Sequence, residues 1–120
     1  MREERGMIAG DLDVRETLTL WGTVAGNVRV GLGGKFYLRG TVYGSVQVEP
    51  GGRANLLGSV KGNVSLDEET KVIVSGLIAG NAVNKGGRLY IERSASILGK
   101  VRTDAGKTVV EKKTTPAKSK

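Results

Sequence analysis

The chain has 120 residues and a formal charge of +7, with 19 glycines, 38% hydrophobic and 4% aromatic residues, and neither cysteine nor histidine. The length suits one domain, and without cysteine there is no disulfide framework and no thiolate metal site. Without histidine most general-base, zinc and triad chemistry falls away, so an enzyme is not expected.

Taken in order, residues 1–6 are charged and are expected to form a disordered N-terminal tail. They lack the apolar stretch of a signal peptide and are too short and polar for a membrane anchor, so the expected location is cytoplasmic. From Met7 the pattern changes. Ile8, Gly10, Leu12 and Val14 match Val24, Gly26, Val28 and Val30, with a corner at Arg15–Thr17 two residues shorter than the later ones. From Leu18 the chain repeats itself without a gap: LTLWGTVAGNVRVGLGGK, FYLRGTVYGSVQVEPGGR, ANLLGSVKGNVSLDEETK, then VIVSGLIAGN, each full copy 18 residues long. Gly22, Gly40, Gly58 and Gly76 form one column, Gly26, Gly44, Gly62 and Gly80 another, with Val24, Val42, Val60 and Ile78 between them. A constant period of this length marks a solenoid rather than a mixed globular core.

Within each copy apolar residues and glycines alternate with polar ones, as in Leu18, Leu20, Gly22, Val24, Gly26, Val28 and Val30. A period of two places one set of side chains on one face of a strand, and glycines every four residues suit bends between short strands rather than a helix. Each copy therefore reads as three short strands wrapped once around a narrow core. Copies stack in parallel ~4.8 Å apart. The expected fold is all-β, a single-domain parallel β-helix of about six coils spanning 7–103. Parallel crossovers are right-handed by strong default. Corners fall at Gly31–Lys35, Glu49–Arg53 and Asp67–Lys71, where glycine, proline and acids belong. After Gly80 the register slips: Asn84 takes a position that was Val30, Val48 and Leu66, and Lys85–Arg88 restores the pattern one residue early. Ala95, Ile97, Leu98, Gly99 and Val101 then echo Ala54, Leu56, Leu57, Gly58 and Val60. Residues 104–120 read as a disordered basic tail; from Lys107 onward five lysines stand against Glu111, a net +4.

The G-T-V-x-G-x-V-x-V phrase in GTVAGNVRV and GTVYGSVQV, the closing phrase RLYIERSASILGKV and the short flanks resemble the bactofilins, polymer-forming bacterial cytoskeletal proteins. The resemblance covers about Met7 to Thr103 and departs at Ser94-Ala95, where such proteins often carry glycine-alanine. It implies a right-handed, triangular β-helix that assembles end to end into nucleotide-independent filaments, acting as a cytoplasmic scaffold, some of them lying on membranes.

An 18-residue period also fits left-handed hexapeptide helices, but their acyltransferases and carbonic anhydrases depend on histidine, which is missing here. Gly106-Lys107-Thr108 lacks the first glycine of a P-loop, and Asp67, Glu68 and Glu69 read as a solvated corner. No catalytic, cofactor or metal residue is expected, and no small-molecule substrate. Three surfaces remain. Uncapped end coils offer Ile8, Leu12 and Val14 at one end and Leu89, Ile91, Ile97 and Val101 at the other, a polymer interface between copies of the chain. Outward apolar residues Trp21, Tyr37, Tyr43, Leu57, Ile73 and Leu77 suggest a lateral contact face. Lys35, Arg53, Lys71 and Arg88 stack at equivalent corners as an anion-binding column, with Glu49 and Glu69 near enough to screen it. The main expectation is a filament-forming scaffold whose basic tail meets recruited proteins, an anionic polymer or a membrane surface. The alternative is a monomeric β-helix that engages an acidic polymer such as nucleic acid through the basic corner and tail.

Overall fold

The computed structural model describes residues 2–111, and over them the chain is an all-β parallel solenoid. The first turn is β1 (Arg2–Glu4), β2 (Met7–Ile8) and β3 (Leu12–Val14). The second is β4 (Thr17–Leu20), β5 (Thr23–Val24) and β6 (Val28–Val30). The third is β7 (Lys35–Leu38), β8 (Thr41–Val42) and β9 (Val46–Val48), and the fourth β10 (Arg53–Leu56), β11 (Ser59–Val60) and β12 (Val64–Leu66). Next come β13 (Lys71–Val74), β14 (Leu77–Ile78) and the long β15 (Ala82–Ile91), which rounds a corner to close the fifth turn and open the sixth. β16 (Ser96–Ile97) and the long β17 (Val101–Val110) finish the stack.

Equivalent strands of successive turns pair in parallel. Middle strands build a 6-stranded sheet in the order β16-β14-β11-β8-β5-β2. First and third strands build two faces that β15 joins into one 11-stranded sheet. The register is 18 residues through the middle, as in Lys35 opposite Arg53 opposite Lys71. It is 16 between the first two turns, Ile8 opposite Val24, which is the shorter Arg15–Thr17 corner.

Inward side chains form five stacked columns, because every second residue of each strand faces the axis. Val24, Val42, Val60 and Ile78 make one, all 0% exposed. Phe36 stacks between Leu18 and Ala54, so the one large ring lies against a methyl group. A Cβ on Gly40 would overlap the carbonyl oxygen of Gly22 in the turn below, so this corner column admits glycine alone.

The structure departs from the sequence reading in three places. Arg2–Glu4 is a strand paired with Leu18–Leu20, so the solenoid starts before residue 7. β17 runs on to Val110, with Lys107–Val110 paired on Arg88–Ile91, so the solenoid also continues past residue 103. Arg2–Glu4 has no apolar residue and Lys107–Val110 sets its two valines side by side rather than alternately, yet each segment needs to satisfy only one neighbouring strand. The remainder of the basic tail, residues 112–120, lies outside the described residues. Thirdly, Ile97 pairs with Ile78 and Val101 with Ala82, so Ala95–Val101 does not repeat the Ala54–Val60 register. Two additional residues in the Glu92–Ala95 corner, closed by a hydrogen bond from the Ala95 N–H to the Glu92 carbonyl (2.9 Å), shift everything after it.

Candidate functional site

Three sets of surface groups follow from this stacking. The first is the basic corner. Register places Lys35, Arg53, Lys71, Arg88 and Lys107 one above another on the first face, all exposed. The fifth member, Lys107, becomes visible only because β17 extends to Val110. Among the described residues no ion pair engages any of the five. Glu49 instead pairs with Arg29 at 3.3 Å on another face, and Glu69, although it shares a shallow cleft with Arg53, Lys71 and Arg88, forms no ion pair with them. Two residues further along each strand lies a second outward column, Tyr37, Asn55, Ile73, Tyr90 and Val109. The two columns bound a groove that includes a hollow of about 510 Å³ lined by Lys71, Ile73, Arg88, Tyr90, Lys107 and Val109. The negative charge of Glu111, some burial, and a hydrogen bond to the Glu111 carboxylate together raise the Tyr90 pKa above its usual value, keeping the phenol protonated.

The second is the set of outward apolar residues, which the structure does not gather into one row. Trp21 and Leu57 lie in one corner column, Tyr37 and Ile73 in the groove just described, Leu77 on the middle face and Tyr43 at the next corner. Four adjoining columns share them because outward columns advance two residues at a time. Trp21 is also occupied: the guanidinium groups of Arg5 and Arg39 sit 5.2 and 5.1 Å from its ring centroid, one from the turn on either side. Tyr43 is the most open of the six.

The third is the pair of ends. Leu12, Val14, Leu89 and Ile91 are already buried within the chain and are not free to make a joint; Ile8 and Ile97 are half-buried. The physical reason is that Thr108 and Val110 continue the columns above Leu89 and Ile91, while Leu12 and Val14 turn into the closed first coil. At the N-terminal end the charged β1 lies over Leu18 and Leu20, so one face there does carry a polar strand. At the C-terminal end, inward columns stop at Val101 and Val110, which are 41% and 55% exposed although the members beneath them are buried. Arg102 closes a 2.9 Å ion pair with Asp104, which holds the Asp104 carboxyl below its usual pKa.

One periodic feature escaped the sequence reading. Asp11, Asn27, Ser45 and Asn63 each accept, through a side-chain oxygen, the backbone N–H of the equivalent residue one turn on (2.8–3.0 Å), and Asn81 accepts that of Lys100 (2.8 Å). Its signal is the Asp/Asn/Ser that follows each second-column glycine. The ladder takes up corner donors that no strand supplies, and ends at Lys100, which has no acceptor.

Among the described residues no cluster of carboxylates is arranged to hold a metal ion, and no helix is long and apolar enough to cross a membrane. No family model matches the chain, and neither the curated proteins nor the solved structures contain a match to it.

Proposed function

We propose that this protein is a structural scaffold of the bactofilin kind, assembling end to end into filaments in the cytoplasm without nucleotide. The reading rests on the repeat phrase and on one observation above all: core columns that are sealed through five turns end at Val101 and Val110 with their apolar side chains uncovered. β16 and β17 at that end, and β1, β2 and β3 at the other, each have strand neighbours on one side alone among the described residues. Unpaired strand edges beside open aliphatic columns favour the addition of a further parallel strand, and the obvious supplier is another copy of the chain. Burial of each valine at such a joint contributes roughly 1.5–3 kcal/mol, in addition to the backbone pairing.

The test is sedimentation with negative-stain imaging in nucleotide-free buffer, at moderate and high salt. The parent chain should pellet as filaments in both, because apolar stacking is not screened by ions. Val101→Arg and Val110→Arg should remain in the supernatant with an unchanged β-sheet circular dichroism spectrum, since at an open end the charge reaches water in the monomer but is shut into a dry joint in the polymer. A parent chain that stays monomeric under both conditions sinks the reading.

A further inference from the structure

The groove on the first face joins two features that the filament reading does not use. One is a five-membered ladder of cations, none of them ion-paired among the described residues, at the ~4.8 Å strand spacing. Like charges directly opposite each other across strands are destabilising, so the ladder stands at a cost that a bound polyanion would remove. The other is the parallel column of Tyr37, Asn55, Ile73 and Tyr90, half-buried and set two residues to one side of the cations.

We propose that this face binds single-stranded nucleic acid, its phosphates following Lys35, Arg53, Lys71, Arg88 and Lys107 and its bases lying on Tyr37, Ile73 and Tyr90. A cationic track beside a row of aromatic platforms is the arrangement by which single strands are held without sequence preference. Asn55 stands between Tyr37 and Ile73 with both a donor and an acceptor for a base edge. An anionic bilayer fits less well, because Tyr37, Ile73 and Tyr90 are half-buried beside exposed cations and offer little apolar surface to enter the lipid. An acidic peptide fits less well too: the backbone of this face is consumed by its own ladder and offers no strand edge along the groove. Glu92 and Glu111, the carboxylates that act on Tyr90, border the track on the side away from the cations. This proposal is independent of assembly, since one chain carries the whole track.

The experiment measures fluorescence anisotropy of labelled oligothymidylate with the full chain across a salt series. Duplex DNA, polyglutamate, and vesicles of equal parts phosphatidylglycerol and phosphatidylcholine serve as competitors. With five phosphate contacts, log affinity should fall against log salt with a slope of about −3.5. The variant Arg53→Gln/Lys71→Gln/Arg88→Gln should lose about 2 from that slope and bind at least about tenfold more weakly, while melting no lower than the parent. Tyr37→Ala and Tyr90→Ala should each weaken binding roughly tenfold with the slope kept, the signature of lost stacking rather than lost charge. Parent-like affinity in the triple variant would place any binding outside the ladder and overturn the proposal. Tyrosine variants that bind like the parent, or duplex DNA that competes as well as unlabelled oligonucleotide, would take the bases off the groove and overturn the single-strand assignment; peptide or vesicles that displace the oligonucleotide more effectively than unlabelled oligonucleotide does would assign the face to an acidic peptide or a lipid surface instead.

Discussion

Among the described residues Glu69 is the one non-glycine with a positive φ. Its φ is +56° at the corner position where Gly33 and Gly51 have +83° and +87°. The left-handed region costs a residue with a Cβ about 1–2 kcal/mol, whereas glycine enters it freely. The following residue braces the turn, Thr70 Oγ1 donating to the Asp67 carbonyl at 2.7 Å. Glu69→Gly should remove the strain and return about 0.5–1 kcal/mol of it as unfolded-chain entropy, for a net gain of about 0.5–1 kcal/mol. The expected result is a higher urea midpoint at an unchanged m-value. A lower midpoint would mean that the glutamate makes a contact at this corner worth more than its strain. The glycine corner columns are constrained differently: at Gly40 it is the neighbouring turn's carbonyl, not the residue's own φ, that excludes a side chain.

At the scale of the element, Asn84 shows how a polar residue holds a place in an aliphatic column. It sits fully buried above Val48 and Leu66, with its amide nitrogen donating to the Gly87 and Lys107 carbonyls and to Thr108 Oγ1 (3.0–3.1 Å). Its oxygen accepts from the Gly86 and Gly87 N–H groups (3.0 and 2.8 Å). Those bonds pin the tight bend inside β15 and tie it to the second half of β17. Asn84→Val restores the residue type of the column yet strands a buried N–H at Gly87, so a loss of about 2–3 kcal/mol is expected despite the added apolar burial. Equal or greater stability by thermal melting would show that the bend holds without its side-chain brace. The same neighbourhood explains what the sequence could and could not reveal. Strict alternation through Val42, Val60 and Ile78 made the inward columns, the three-strand turn and the 18- and 16-residue registers readable, because buried strands on a narrow axis leave few other choices. The displaced register at Ile97 was not readable: two residues added in the Glu92–Ala95 corner leave the apolar spacing intact and only change which turn it matches. Nor was the extent of the ends, since Arg2–Glu4 and Lys107–Val110 lack the alternating pattern. The basic column was legible as far as Arg88 because corners repeat, whereas its companion column of Tyr37, Asn55, Ile73 and Tyr90 was obscured by its mixture of residue types.

For the whole molecule, stability in a solenoid is approximately a sum over neighbouring turns, so loss at an end should be local and should not unfold the stack. This bears on the C-terminal segment. Lys107–Val110 covers Leu89 and Ile91, which are 1% and 5% exposed, and supplies the uppermost member of the cation ladder. Two truncations isolate its contribution: one ending the chain at Glu111, the other at Gly106. The shorter chain should keep its β-sheet spectrum, because every strand below Arg88–Ile91 on that face retains its neighbours. It should unfold at lower denaturant than the longer one, by about 2–4 kcal/mol, from uncovering two aliphatic side chains and one row of strand pairing. It should also pellet differently, since Val110 leaves with the segment and Leu89 and Ile91 become the open end in its place. Larger exposed aliphatics there should favour self-association, so the shorter chain is expected to assemble at lower protein concentration even though each subunit is less stable. If both truncated chains melt together, Lys107–Val110 adds nothing to the fold and the solenoid ends with the pairing of Val101–Thr103 on Ala82–Asn84.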